Sequence, residues 1–315
     1  MPHPEKRMEI NMYDIVIIGS GPAGLTAAIY ARRAGKSVLV LEKSAFGGQI
    51  TYSPKIENYP GFIQMSGNEL ADKMIEQAME LGAEVGFEEV IEIKDNGATK
   101  TVVTDDGEHE ATAVIIATGV KHRMLGIEGE EGFVGDGISF CAVCDGAFYA
   151  DKEVAVIGGG NSALQEAVLL SETSKKVTVV QNLAFMTGEA KLVEILEGRD
   201  NVEFILSHTV EDILTNDGVF SGIKIKNADS GELSELKCDG IFVAIGLVPS
   251  NDKFSSVAKL NDWGYFDSGE DCTTNTAGVF VAGDCRSKRI RQITTATADG
   301  AIAALAACRY IDDIK

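Results

Sequence analysis

Residues 13–43, YDIVIIGSGPAGLTAAIYARRAGKSVLVLEK, decide the fold. The apolar run Ile15 to Ile18 reads as a buried strand, the glycines after it as a tight turn, and Leu25 to Ala34 as a helix ended by Gly35. Val38 to Leu41 gives a second strand that ends in Glu42. This strand, turn, helix and strand form one complete unit. Gly19, Gly21 and Gly24 supply the spacing of a dinucleotide turn, and Glu42 stands 23 residues after Gly19, where an acid can bind both hydroxyls of an adenosine ribose.

Outward from that unit come Gly47-Gly48-Gln49-Ile50-Thr51 and Glu57-Asn58-Tyr59-Pro60-Gly61, a loop rich in turn residues. A helix is expected over Gly67 to Leu81, followed by short strands to Ala111. Val114 to Gly119 reads as a strand entering a small-residue turn, which suits either approach to a cofactor or a plain domain crossover. The opening pattern then repeats: a strand over Lys152 to Ile157, the turn Gly158 to Ala163, a helix over Leu164 to Ser171 and a strand over Lys176 to Val180. Strands and hairpins fill 202–247, with turn signals at Asn216-Asp217-Gly218 and Asp229-Ser230-Gly231. A strand within Thr276 to Cys285 delivers Asp284 at its carboxyl end, the ligand edge of such sheets, and Thr294 to Ile311 reads as an alanine-rich helix.

The last segment cannot form a domain alone and is expected to rejoin the first fold. The fold class is therefore α/β, with two Rossmann-like, three-layer nucleotide-binding domains, the second inserted into the first. The expected boundaries are 13–120 with 248–315 for the discontinuous first domain, and 121–247 for the second. Residues 1–12 read as a flexible leader without the apolar core of a signal peptide.

A chain of 315 residues with 45% hydrophobic content supports two cores. Its formal charge of -20 opposes nucleic acid and anionic membranes as partners. A cytoplasmic protein is expected, and there six cysteines argue against a disulfide framework. Cys238, Cys272, Cys285 and Cys308 are scattered and read as buried thiols. Cys141 and Cys144 differ, because they stand three apart with Asp145 directly behind. That spacing suits a disulfide that opens and closes, or half a zinc site. With four scattered histidines and no second cysteine pair, no metal is expected. One cysteine of a redox pair must be a thiolate near neutral pH, and Asp145 needs a raised pKa to move protons there.

Two nucleotide folds, Cys141-Ala-Val-Cys-Asp145 just before the second, and the terminal Gly283-Asp284 with Arg291-Gln292 together resemble the low-molecular-weight thioredoxin reductases. The resemblance covers nearly the whole chain from Tyr13. It implies a homodimer with FAD in the first fold, NADPH in the second, and a dithiol that carries electrons from flavin to thioredoxin. Gly19, Ser20, Gly21, Pro22, Ala23 and Gly24 would meet the FAD pyrophosphate, with Glu42 and Lys43 at the ribose. Gly48, Gln49, Asn58, Val90 and Gly119 would hold more of the cofactor, as would Gly283, Asp284, Arg291, Gln292 and Ile293. By the same resemblance Cys144 would face the flavin, Cys141 would attack the partner disulfide, and Asp145 would be the general acid and base.

The second nucleotide fold departs from that family. Counting 23 residues from Gly158 gives Gln181, neither the acid of an NAD site nor an arginine for a 2'-phosphate. Residues 181–190 hold no arginine or lysine, and Glu189 would repel a phosphate. The residues oppose NADPH as donor, and the resemblance to superfamily members without the NADPH motifs, which include ferredoxin-dependent flavin enzymes, implies reduced ferredoxin instead, with Arg286, Lys288, Arg289 and Arg291 as a basic landing site. Two alternatives remain: an NAD(P)H-dependent thioredoxin reductase of weak nucleotide specificity, and an FAD-dependent dithiol oxidase that passes electrons to oxygen.

Overall fold

The structure is a computed structural model that describes residues 12–53 and 55–314. The leader expected over 1–12 lies outside these residues except for Met12, which opens the first strand. Among the described residues six α-helices follow in chain order: α1 Pro22–Arg33, α2 Gly67–Glu80, α3 Ala142–Asp145, α4 Asn161–Leu170, α5 Ala190–Glu197 and α6 Ile293–Ile314. Two start earlier than periodicity suggests. The expected starts were Leu25 and Leu164, but α1 begins at Pro22 and α4 at Asn161, inside the glycine turns. Proline's fixed φ suits a first helical position, and apolar periodicity cannot register a first turn made of small residues.

The described chain divides into two compact units, one of residues 12–53, 59–121 and 248–314 and the other of 55–58 and 122–247. In the first, Met12–Ile18 lies between Val38–Glu42 and Glu108–Ile116, all parallel, with Ile17 opposite Val40 on one side and Ile115 on the other. Such a central strand is covered on both faces, which is why Ile15, Val16 and Ile17 are fully buried. Glu84–Phe87 extends one edge. The carboxyl half of Glu108–Ile116 takes Val279–Val281 as a parallel neighbour, while its first half pairs with Lys100–Thr104. The C-terminal α6 lies against α1, so the end of the chain completes the first fold.

The second unit repeats the scheme with five parallel strands in the order Val202–Ile205, Lys176–Val180, Glu153–Ile157, Gly240–Val243 and Ile138–Ser139. An antiparallel sheet of His208–Asn216, Val219–Asn227 and Leu233–Lys237 is added to it. Its two hairpins turn at Asp217-Gly218 and at Gly231, each glycine at positive φ. The fold is thus α/β with two Rossmann-like domains. Residues 55–58, expected with the first domain, group with the second, where the Lys55 ammonium sits 4.8 Å over the Phe148 ring.

Candidate functional site

The first glycine turn is built by close approach. Gly19 has φ +102, and a Cβ there would stand 2.5 Å from the Ala117 carbonyl oxygen. A Cβ on Gly24 would stand 1.9 Å from the Gly19 carbonyl oxygen. Gly24→Ala is therefore expected to destabilise the unit by on the order of 3 kcal/mol and to lower the flavin retained per chain, read by thermal unfolding and flavin absorbance. Ser20 is buried behind the turn, and its amide and hydroxyl donate to Glu42 at 3.0 and 2.8 Å. The other Glu42 oxygen accepts the amides of Lys43 and Ser44 at 2.9 and 3.0 Å. Pro22 and Ala23 form the first turn of α1, whose cap residue Gly21 has no side chain to satisfy the free amides. An anion is the natural partner of such a terminus.

Gly48 and Gln49 open a short helical turn beside Gly21, Gly48 with φ +61. Val90 is buried at the start of its strand, and Gly119 follows Glu108–Ile116 at φ +64. Gly283 and Asp284 lie in the turn after Val279–Val281, with Arg291, Gln292 and Ile293 leading into α6. The Asp284 atom Oδ1 is sealed from solvent without a hydrogen-bond partner, and burial raises this carboxyl to about 6. Arg291 stacks over the Tyr265 ring at 4.4 Å and donates to the Asp284 carbonyl at 3.3 Å. Asn58 falls in the segment that groups with the second unit.

Three features escaped sequence reading here. Asn251, buried, donates to the carbonyls of Gly264 and Cys285 at 2.9 and 2.8 Å and accepts from Thr118 at 3.2 Å. Asp299 projects from α6 and accepts Arg286 at 2.8 Å, Lys288 at 2.9 Å and the Gly283 amide at 3.0 Å. This corrects the expected landing site: Arg286 and Lys288 point inward, because a buried carboxylate needs paired charge, and Arg291 is held by Tyr265. Of the four cations only Arg289 is exposed.

In the second unit Cys141 and Cys144 form a disulfide with Cα atoms 5.3 Å apart. The single turn α3 sets this spacing, with Cys141 as its cap residue. The Cys144 amide donates to Cys141 Sγ at 3.2 Å, which favours a thiolate there over a thiol. Ser139, the third unread feature, receives the Cys141 amide at 3.2 Å and donates to Asp145 Oδ2 at 2.6 Å. Burial raises the Asp145 carboxyl above the ordinary range, with the Ser139 hydroxyl pulling against it. His122 stacks on Phe140 at 4.6 Å, and burial lowers its imidazole to about 4, so it is neutral at pH 7 and carries no proton to give.

The second glycine turn is covered by its own chain. A Cβ on Gly159 would stand 2.3 Å from the amide nitrogen of Gln181, a buried side chain tied to the Asn182 amide and the Phe185 carbonyl. The amides of Thr187 and Gly188 donate to the Gly159 carbonyl at 2.8 and 2.9 Å. Asn161, first residue of α4, exchanges two hydrogen bonds with Glu189. In the first turn the neighbouring loop arrives as the bare backbone of Gly47 and Gly48, whereas in the second it arrives as side chains and a carboxylate.

A disulfide on a single helical turn in one Rossmann-like unit and a glycine turn with free helix amides in the other are the parts that a nucleotide-cofactor disulfide oxidoreductase requires. The family model for pyridine nucleotide-disulphide oxidoreductases matches residues 13–300, and the chain belongs to that family. It is 40% identical to a thioredoxin reductase of Listeria monocytogenes over 98% of this chain and 96% of the relative, and 39% identical to that of Bacillus subtilis over 98% and 97%. The solved thioredoxin reductase of Streptococcus pyogenes matches 96% of this chain and 99% of its own, with a TM-score of 0.91 and 41% identity. The chain is an FAD-dependent disulfide oxidoreductase. The first turn fits such a cofactor: free amides suit a pyrophosphate, and the orphaned Asp284 oxygen suits a hydroxyl donor.

Proposed function

We propose that this enzyme reduces thioredoxin through the Cys141–Cys144 disulfide, with reduced ferredoxin rather than NADPH as electron donor. When bound, FAD would supply the electron pair for the disulfide and the one-electron chemistry that such a donor needs. The turn residues Gly19, Gly21 and Gly24 would hold its pyrophosphate, and Asp284 and Arg291 its flavin end.

Cys141 is the attacking thiol and Cys144 the resolving one. The Cys144 amide supports a thiolate at Cys141, and the raised Asp145 carboxyl takes up and returns its proton. Ser139 holds Asp145 and the Cys141 backbone in one frame. The relatives named as thioredoxin reductases support thioredoxin as partner.

The single observation that carries the donor assignment is the covered second turn. Gln181 lies over Gly159, and Glu189 stands at the start of α4, where a nucleotide pyrophosphate would otherwise bind.

Anaerobic flavin bleaching with each donor in turn tests the assignment. Reduced ferredoxin is expected to bleach the flavin, and micromolar NADPH to leave it oxidised. Rapid bleaching by NADPH overturns the donor assignment, while oxygen uptake with a dithiol substrate identifies an oxidase instead.

A further inference from the structure

Glu166 lies on α4, the helix packed against α3, and has no part in the chemistry above. Its Oε2 is sealed from solvent without a hydrogen-bond partner, and so is Oδ1 of Asp145. Two helices in contact therefore each bury a carboxyl group with one unsatisfied oxygen. The packing is close: a Cβ on Gly146, directly after Asp145, would stand 3.3 Å from Leu170 of α4. Burial opposes the charged form of a carboxyl, and two such groups that feel each other's charge oppose double ionisation.

Among the described residues the cations nearest this site are engaged elsewhere: the Lys55 ammonium lies 4.8 Å over the Phe148 ring and that of Lys152 5.2 Å over the Tyr149 ring. On α5, Lys191 is exposed and faces Glu194 at 3.6 Å, and Glu197 is exposed as well. On the strands beneath, Glu153 pairs with Lys175 and Lys176 with Glu203. Tyr149, in the turn after α3, is raised by burial first and stays neutral. Burial, and then the charge of Asp145, raise Glu166 to about 8. Asp145 has the Ser139 hydroxyl on its charged form, a hydrogen bond that the sealed Glu166 oxygen lacks, so a proton shared by the pair is favoured on Glu166.

We propose that Glu166 is a positioning residue for proton transfer at the Cys141–Cys144 pair, forming with Asp145 a carboxyl couple that sets the proton affinity of Asp145. The inference rests on the assignment of Asp145 as acid and base. In the exchange, the Cys141 thiol gives its proton to the Asp145 carboxylate, and the thiolate bonds to one partner sulfur as the partner disulfide breaks. Cys144 then bonds to Cys141 and displaces the partner. The two protons, one returned by Asp145 and one from Cys144, leave on the partner's thiols. Glu166 keeps its own proton, so Asp145 meets no second negative charge when it is ionised. Once Glu166 ionises, a second negative charge holds the proton on Asp145 more tightly.

Infrared difference spectra of the holoenzyme, taken as pH rises through about 8, read the carbonyl band of a protonated carboxyl directly. The wild type is expected to lose one such band and Glu166→Gln none, and Asp145→Asn should shift the Glu166 titration to lower pH. In parallel, the iodoacetamide alkylation rate of the dithionite-reduced holoenzyme should lose its inflection near that pH in Glu166→Gln and Glu166→Met and keep it in Glu166→Asp. A Glu166→Gln profile superimposed on the wild type, or a Glu166 band unmoved by Asp145→Asn, overturns the proposal. Unimpaired thioredoxin reduction by Asp145→Asn would instead overturn the reading of Asp145, whatever Glu166→Gln does.

Discussion

Cys144→Ser is expected to keep its flavin and to lose thioredoxin reduction by roughly a thousandfold or more. The serine hydroxyl cannot close a disulfide with Cys141, so the electron pair has no exit from the flavin, and a mixed disulfide formed at Cys141 has no resolving thiol. No other cysteine is placed to substitute. Burial raises the thiols of Cys238 and Cys272 to about 12 and that of Cys285 to about 11, and it raises Cys308 as well. None of them is a thiolate at neutral pH. The checks are a flavin spectrum, a thioredoxin-coupled assay, and a trapped Cys141–thioredoxin adduct on a non-reducing gel. Retained turnover would mean that another thiol carries the electrons.

The second large effect is structural. Asp299→Ala removes the carboxylate that Arg286, Lys288 and the Gly283 amide share, in a site where all three side chains are buried. Stranding two cations in this way is expected to cost about 3–5 kcal/mol. For a unit of this size the unfolding midpoint should fall by roughly 10 °C. Flavin retention should fall with it, because the Gly283–Ile293 segment is anchored through this residue. The pH dependence has a definite sign. Burial alone would raise Asp299, but the hydrogen bonds from Arg286 and Lys288 outweigh it and hold the carboxyl below its ordinary range. Its contribution is therefore present above the ordinary carboxylate pKa and lost as pH falls through the depressed one. The stability gap between Asp299→Asn and the wild type should narrow in acid. A gap independent of pH would show that Asp299 acts by packing alone.

The residues around these two sites were legible to different degrees. Glu42, read as a ribose ligand from its distance to Gly19, holds the turn together through Ser20 and Ser44. That task has no sequence signal, since it depends on where the carboxylate lands after the strand. Gln181 was legible as an uncharged residue where a nucleotide site needs charge, but not as the side chain that covers Gly159. Arg286 and Lys288 show the opposite failure. Four cations within six positions look like a surface patch until the fold supplies Asp299 from a helix 11 to 13 residues away.

The sequence alone determined what depends on a few neighbouring residues. It fixed the two strand-turn-helix units, the hairpin turns at Asp217-Gly218 and Gly231, and a cysteine spacing that a single helical turn closes into a disulfide. These are properties of local backbone geometry, which glycine, proline and side-chain period control directly. Only the tertiary structure decided the fate of charge. Burial is set by elements far apart in the chain, and a carboxyl group changes its proton affinity with the surroundings it is packed into. That is why Asp299 is an ion-pair centre, why Glu166 retains a proton beside Asp145, and why the second glycine turn is covered by the loop that follows its own strand.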